Sequence, residues 1–536
     1  MPECYSIPDS EDFEVYEMTN RTVYNNSRNH DQDDFQLRRL GKNPALKRNF
    51  NAISLVGLNC IVLMTWEMVV IGGPASFLSA YFLSWIGSLC TVIMIGELAS
   101  MAPISASQYH WCAMLAPSKW MRPLSYITMC TTIIAWKMIV CQSYDFVAKI
   151  VQALIHFALP STFTRAVWKE KLIGLGIQIL ACIPNVIGGR TLPRLQILAL
   201  MVHILGFFAI LIPVSYMPEH REAQELFTPF LNAGHFPTPP LTWFFVMSFY
   251  NGLFMGGCCA VHLAEESEGA TATLGPTMII SMILDGLLGF GMSIALLFNK
   301  QAIEIAAVYG VYSPIILFYQ TTNSRSATII LSCVWVVSYM GRVLACIAPA
   351  SRQVWSLARD QGIPGWKILK KVSSNYLPTN ATIFVVIVSI LINLIELGSP
   401  DTYIYIINSV GPLWCISYTI IGTLLLYRRY KGQILSYGST DDPMINVPGA
   451  KLVWGPFRIP GIWGILINFG SIVYSIVIFF SQCLPWSVDK TTPLQRFLSS
   501  SVISIMITVF ILVFYLVRAR KQYKGPIAEA GVRLAD

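Results

Sequence analysis

The sequence predicts an all-α polytopic membrane protein with about twelve transmembrane helices, and three observations support this fold class. Hydrophobic residues make up 54% of the 536 residues and charged residues only 12%, whereas soluble domains carry about 25% charged residues. Mean hydropathy is positive. Apolar runs long enough to cross about 30 Å of hydrocarbon recur along nearly the whole chain. These features favour one continuous membrane domain over several soluble domains.

The first 49 residues are polar and precede the first apolar run. Acidic residues such as Glu11 and Asp33 come first, and basic residues such as Arg38 and Arg48 follow. This composition has too little apolar surface to fold alone, so we predict a disordered tail over residues 1–49. The tail does not have the pattern of a cleavable signal peptide. The first span is therefore expected to act as its own insertion signal.

Twelve apolar runs follow, which we number as spans one to twelve. In the first half they cover residues 51–72, 75–101, 123–156, 172–188, 194–216 and 241–264. In the second half they cover residues 276–298, 327–350, 379–398, 402–427, 460–483 and 497–517. They predict a transmembrane domain over residues 50–521 and a C-terminal tail over 522–536. The apolar segment 103–117 is too short to span, so we expect it at the inner face or re-entering it.

Lys and Arg residues in the short connections predict the orientation of the chain. They are concentrated before span one, in the segments 352–371 and 428–458, and after span twelve. These segments alternate with connections that carry fewer positive charges. Two connections oppose the pattern, because Arg165 would lie outside and the acidic segment 265–268 inside. The excess still predicts that both termini are cytosolic.

Composition and motifs argue against several other functions. The net charge of +8 does not indicate nucleic-acid binding, because the basic residues are scattered and form no single face. The Cys residues lack paired spacing and lie mostly inside apolar runs, so we predict neither disulfides nor a metal site. We find no GxSxG, HExxH or Walker-type motif. The sequence therefore predicts no enzyme activity and no cofactor, and a membrane-embedded enzyme is the least supported function.

Spans one and six carry polar or helix-weakening residues near their centres. Interrupted helices at matching places in two structural repeats are the best sequence indication of a transporter site, because unwound backbone offers free N–H and C=O groups. The alternative is that the glycines only allow close helix packing. The residues concerned are Thr65, Trp66 and Glu67 in span one, and Asn251, Gly252, Gly256, Gly257 and Cys258 in span six.

We single out five of the ionisable residues inside predicted spans, where a charge costs about 2.5–3.5 kcal/mol unless it has a partner. We interpret Glu67 as a functional residue. Lys137 and Arg342 could pair with Glu67 or replace a coupling cation, and snorkelling to an interface is the alternative for both. Asp285 belongs to the same class. His203 could relay protons, because imidazole titrates near physiological pH, although a lone buried His is more often a packing residue.

Several motifs resemble those of the amino acid-polyamine-organocation superfamily, in particular its fungal branch of GABA- and choline-permease-like proteins. They occur in order from about residue 50 to residue 526. The matching segments are Glu97–Pro103, Gln108–Trp111, Leu115–Pro117, Val261–Glu266, Ser351–Arg352, Ala358–Asp360, Gly362–Pro364, Gly455–Pro460 and Tyr523–Pro526.

The resemblance implies a LeuT-type fold of five plus five inverted repeats with two additional C-terminal helices. It implies a substrate site between spans one, three, six and eight, and uptake of amino acids or amines such as GABA, choline or polyamines, usually driven by protons. By position, residues 65–67 and 256–258 would line that site and Trp136 and Lys137 would flank it. The family resemblance also implies a plasma-membrane location.

This sequence departs from the family pattern in two ways that bear on transport. Cys258 stands where the family usually has an acidic residue, and the family usually has a longer outer half of span one. Residues 51–71 are only about 31 Å long if fully helical. A non-transporting nutrient receptor or an inactive permease-like protein is therefore the alternative prediction.

Overall fold

A computed structural model of the chain describes residues 32–63, 65–66, 74–222, 238–437, 445–484 and 500–529. Within these residues, ten helices are long and apolar enough to cross a membrane. The only named strands in this part of the chain are the parallel two-residue strands Ile434–Leu435 and Leu452–Val453. The predicted all-α polytopic fold class is confirmed.

Each predicted span corresponds to helical structure. The helices are, in order, Ala52–Val62, Pro74–Met101, Ser118–Ala158, Val167–Ile187, Thr191–Tyr216, Pro239–Leu253, Ala270–Phe298, Arg325–Arg359, Thr379–Gly398, the pair Pro400–Ile407 and Val410–Tyr430, Gly461–Ser481 and Ser500–Val517. Span ten is thus divided into two helices, which the uninterrupted apolar run did not predict. Span eight continues nine residues beyond its predicted end at residue 350, into the basic segment that follows.

The helix of span one ends well before the predicted end of that span. An Asn51 side chain accepts from the amide of Ser54 and begins the helix, as expected of an N-cap residue. The helix stops at Val62, and Leu63 has extended backbone angles (φ −67°, ψ 145°). Helical geometry therefore ends next to Thr65 and Trp66, where the sequence predicted an interruption.

Span six is also interrupted. Its helix begins with Pro239 and Pro240, which cost no helical hydrogen bond in the first turn, and ends at Leu253. Residues 254–258 are not helical, and Gly256 has a φ of +92°. A 3-10 helix, Cys259–Glu266, continues the chain. The predicted break in span six is present.

The segment that was too short to span forms a buried helix. Gln108–Leu115 is buried at every position. Trp111 donates its indole N–H to the carbonyl of Ala102 at 2.9 Å, and His110 approaches the carbonyl of Asn446 at 3.4 Å. This segment therefore belongs to the protein interior on the face that carries the basic connections.

Two short helices between spans seven and eight were not predicted. Ala302–Tyr309 and Ser313–Thr322 are each shorter than a membrane span. Pro314 begins the second helix, and Asn323, in the left-handed region with φ +48°, ends it. They form the connection between two long spans.

Parts of both tails pack onto one face of the membrane domain. Residues 1–31 lie outside the described residues, but residues 32–39 are helical and Lys42 is buried. Lys42 donates to the carboxylate of Asp360 at the end of span eight, and the amide of Glu529 donates to the carbonyl of Gly41 at 2.6 Å. The predicted disorder of the N-terminal tail is therefore wrong for residues 32–49, because buried ion pairs order them. The two tails lie on the same face.

Candidate functional site

The interrupted ends of spans one and six lie against each other. A methyl group added to Gly256 would meet Val62 Cγ1 at 2.4 Å, and one added to Gly257 would meet Leu63 Cδ2 at 3.2 Å. The Asn59 side-chain oxygen accepts from the amide of Ala260 at 3.2 Å. Only glycine fits at position 256, because the φ angle there is positive and because a side chain would clash with Val62.

The close-packing alternative applies to only part of the glycine motif. Among the described residues, and apart from its chain neighbours and the backbone of its own helix, no atom lies within 4 Å of a methyl group built on Gly252. Gly252 is therefore not a helix-packing glycine, whereas Gly256 and Gly257 bring the two interrupted spans together.

Arg342 lies in the core beside the end of the span-one helix. It is 5% exposed, so it does not snorkel to an interface. Its guanidinium donates to the carbonyl of Val62 and, at 3.2 Å, to the hydroxyl of Ser143. The Val62 carbonyl is one of those that a helix end leaves without a helical donor. The positively charged Arg342 side chain thus stabilises the end of the span-one helix, where regular helical structure stops.

Four of the predicted residues form one buried polar cluster. The indole N–H of Trp66 donates to the imidazole of His203, with 3.0 Å to Nε2 and 3.2 Å to Nδ1. His203 Nε2 lies 3.1 Å from Asp285 Oδ1. Thr65 donates its hydroxyl to the backbone carbonyl of Asp285 at 2.7 Å. We call these four residues the histidine–aspartate cluster; it joins spans one, five and seven.

Trp136 lies in a second group of aromatic and polar side chains. Its indole N–H donates to His262 Nε2 at 2.8 Å, and His262 Nδ1 lies 2.9 Å from the Ser107 hydroxyl. The Trp136 ring makes an edge contact with Trp414, with ring centroids 5.3 Å apart. Cys258 Sγ lies 3.0 Å from the Tyr418 hydroxyl. Spans three, six and ten therefore meet here.

Lys137 belongs neither to the histidine–aspartate cluster nor to the group around Trp136. Its side chain is half-buried, and its ammonium lies 4.6 Å from the centre of the Phe384 ring in span nine. Trp136, the preceding residue, faces the core instead. The structure thus favours a packing role for Lys137. Glu67 lies outside the described residues, so its predicted role stays a prediction.

A small cavity lies beside the break in span six. It offers about 40 Å³ to the centres of water molecules, space for about three waters. It is lined by residues of spans two, six, ten and eleven, namely Ser88, Thr91, Val92, Asn251, Phe254, Met255, Gly256, Gly257, Cys258, Gly411, Trp414, Cys415, Tyr418, Tyr474 and Ser475. Residues 256–258, predicted to line the substrate site, line it together with Asn251, but no described residue of spans one, three or eight does.

Sequence reasoning missed the aromatic residues of this cavity. Trp414 and Tyr418 lie four residues apart in span ten, and Tyr474 lies in the middle of span eleven. A spacing of four places two residues on one helix face, which is the signal that could have identified the first two. It does not reveal which face points inward.

A buried group of charges lies apart from the two interrupted spans. Asp145, Glu170 and Glu396 are close enough together to hold a metal ion. The Lys171 ammonium already lies among them, 2.6 Å from Asp145 Oδ1 and 2.9 Å from Glu170 Oε1, and it also contacts Glu396. Lys149 contacts Asp145 at 2.7 Å and Glu396 at 3.1 Å. We call these five residues the charge cluster; its own lysines supply the cations.

The chain is similar to known transporters over most of its length. The family model for amino acid permeases matches residues 50–511. The choline transporter of Saccharomyces cerevisiae is 24% identical over 83% of this chain and 78% of its own length. The GABA-specific permease of the same yeast is 22% identical over 92% of this chain and 86% of its own length. The thiamine transporter of Schizosaccharomyces pombe is 22% identical, with 74% of each chain covered. These three relatives are named for three different substrates.

Proposed function

Because the chain belongs to the amino acid permease family, we propose that it is a secondary active transporter for amino acids or related amines such as GABA, choline or polyamines. The observation that carries this proposal is the contact between the interrupted ends of spans one and six. Gly256 lies against Val62 and Gly257 against Leu63. Both breaks leave peptide groups outside regular helices, where they can bind a substrate carboxylate or ammonium group.

We further propose that proton binding drives transport through the histidine–aspartate cluster. His203 and Asp285 are both buried in the spans and lie within 3.1 Å of each other. Intramembrane pairs of this kind are typical proton carriers. A proton gained or lost by His203 would change its hydrogen bond to Trp66, which directly follows the unwound end of span one. Protonation and the shape of the break would thereby be coupled.

Ion pairs link spans six and eight at one end of the interrupted span six. Arg352 donates to Glu266 at 2.6 Å, and Arg359 donates to Glu265 at 2.7 Å. Both pairs join the end of span eight to the 3-10 helix of span six. We propose that this face is cytosolic, that both termini lie there, and that the protein resides in the plasma membrane. Alternating access then requires these pairs to separate.

Two observations favour a non-transporting receptor or inactive permease as the second candidate. The cavity is small, offering about 40 Å³ to the centres of water molecules. At position 258, a cysteine replaces the carboxylate that could carry a coupling proton. Its thiol lies 3.0 Å from the Tyr418 hydroxyl.

Uptake measurements distinguish the two candidates. The chain, tagged for surface quantification, is expressed in a host that lacks its own amine uptake and is supplied with radiolabelled GABA, choline, polyamines and neutral amino acids. The transporter proposal expects accumulation of at least one compound, faster at low external pH. Normal surface abundance without accumulation of any compound, together with binding of one of them to the purified protein, would establish the receptor instead.

A further inference from the structure

The cavity beside span six contains a buried hydrogen-bond donor without a protein acceptor. Trp414 is 2% exposed and lines the cavity. Among the described residues, its indole Nε1 has no hydrogen-bond partner. A buried N–H that lacks an acceptor is costly, so a water or ligand oxygen is needed to satisfy it.

The Trp414 ring is held in a fixed position. Its edge contact with Trp136 has centroids 5.3 Å apart, and it stacks on Tyr418 at 6.4 Å with an interplanar angle of 22°. The Trp414 N–H therefore has a fixed direction, and the donor is preorganised for a ligand.

Other polar groups of the cavity already bond to one another. Tyr474 donates its hydroxyl to Asn251 Oδ1 at 2.9 Å and lies 3.2 Å from the Ser88 hydroxyl. These oxygens keep lone pairs that can accept a further hydrogen bond. A ligand hydroxyl offers both an acceptor for the Trp414 N–H and a donor for these oxygens, whereas a carbonyl can only accept.

The lining carries no carboxylate, ammonium or guanidinium group. An anionic group in the cavity would lie buried without a cation beside it among the lining residues, which is strongly unfavourable. The cavity therefore suits the uncharged part of a ligand, and its size suits a group of two or three heavy atoms.

We propose that this cavity is a subsite for the short, hydroxyl-bearing end of an amine substrate, with the indole N–H of Trp414 donating to the hydroxyl oxygen. The inference rests on the proposed function, since the charged end of the same substrate would bind the unwound backbone at Gly256–Cys258, which forms one wall of the cavity. It narrows the substrate class to small hydroxylated amines and assigns specificity to Trp414.

Binding to the purified full-length protein in lipid nanodiscs tests this proposal. Two pairs of probes differ in one hydroxyl: serine against alanine, and choline against ethyltrimethylammonium. We expect the hydroxylated member of at least one pair to bind tighter by about fivefold to tenfold, the effect of one buried hydrogen bond. Trp414→Phe keeps an aromatic ring but removes the N–H donor. It should bring the ratio of the affinities for the hydroxylated and the non-hydroxylated probe close to one.

Matched variants keep the test decisive. Trp335→Phe alters a buried tryptophan that does not line the cavity and should leave the ratio unchanged. Tyr474→Phe leaves Trp414 in place and should lower the ratio by removing an oxygen partner, so it provides a second reading if Trp414→Phe does not fold. Thermal unfolding of each variant reports its folding.

The outcomes separate this proposal from the proposed function. A wild-type ratio near one, an unchanged ratio in Trp414→Phe, or no binding of either pair by folded protein would overturn the subsite. Uptake without hydroxyl preference would overturn the subsite but leave the transporter standing. Hydroxyl-selective binding without uptake would support the subsite and contradict transport.

Discussion

Arg342 lies where the interrupted first span leaves a carbonyl without a helical donor. Sequence alone showed an arginine inside span eight but left open whether it snorkels, because the rotation of a helix about its axis cannot be read from one apolar run. Likewise, His203 and Asp285 are 82 residues apart, and only the packing of spans five and seven brings them together. Sequence could thus pick out these buried polar residues as candidates, while their partners depended on the tertiary structure.

Arg342→Met should abolish uptake, because the Val62 carbonyl and Ser143 lose a charged donor inside the protein. Loss of such a hydrogen bond costs about 1.5–3 kcal/mol. Arg342→Lys should retain partial uptake, since it keeps the charge with fewer donors. Arg325→Met is the control, as Arg325 is an exposed arginine of the same helix that donates to the carbonyl of Ala158. Uptake per surface molecule is the measurement, and wild-type uptake in Arg342→Met would contradict the role.

His203→Gln should remove the pH dependence of uptake while preserving exchange of labelled for unlabelled substrate. Glutamine can still accept a hydrogen bond from Trp66 but cannot carry a proton in the physiological range. The control is His156→Gln, since His156 lies in the last turn of span three and hydrogen-bonds to the Phe163 carbonyl, away from the histidine–aspartate cluster. An unaltered pH profile in His203→Gln would show that another group carries the proton.

At the scale of elements, the positions of the spans followed from apolar length alone, whereas their interruptions depended on individual residues. The division of span ten into two helices was missed because Ile407, Asn408 and Ser409 include no Gly or Pro to signal a break. The helices between spans seven and eight were missed because each is too short to register as a span. Gly256, in contrast, correctly marked the break in span six.

Substitution of two nearby glycines tests that break. Gly256→Ala should lower thermal stability and uptake together, because alanine at φ +92° is strained and its methyl would clash with Val62. Gly252→Ala should be tolerated or slightly stabilising, by up to about 1 kcal/mol, since it is helical with free space around it. Equal melting temperatures for both variants would show that the geometry at residue 256 is not required.

For the whole molecule, positive charge in the connections predicted that both tails share one face, and the tails do meet there. The acidic segment 265–268 did not follow that pattern. Its Glu265 and Glu266 are accommodated on this face because they pair with Arg359 and Arg352. Charge counting cannot detect such pairing. The contacts of residues 32–49 and 523–529 could not be predicted for the same reason, since they are with distant parts of the chain.

The C-terminal tail should detach when Glu529 loses its charge. Burial raises the pKa of Glu529, but its hydrogen bond and attraction to Arg359, with Lys42 nearby, outweigh burial and lower the pKa below its ordinary value of 4.5. The ionised form therefore stabilises the docked tail above that value, and this contribution is lost as the pH falls through the lowered pKa. Glu529→Gln should weaken the docked tail at neutral pH.

Hydrogen exchange checks this expectation through the amide of Ile527, which donates to Asp360 Oδ1 at 2.9 Å. Its protection should fall in Glu529→Gln at pH 7. Glu219→Gln is the control, because Glu219 is exposed and pairs with Lys300 outside this region. Equal protection of Ile527 in Glu529→Gln and wild type would remove Glu529 from tail docking.

The charge cluster has a mechanical consequence. Asp145 and Lys149 belong to span three, Lys171 to span four and Glu396 to span nine, and pulling these buried charges apart would leave each without its counterion. Spans three, four and nine should therefore move together as one rigid unit, while span six moves relative to them. Spin labels placed on spans three and nine would then keep a constant separation during turnover, and labels on spans three and six would not.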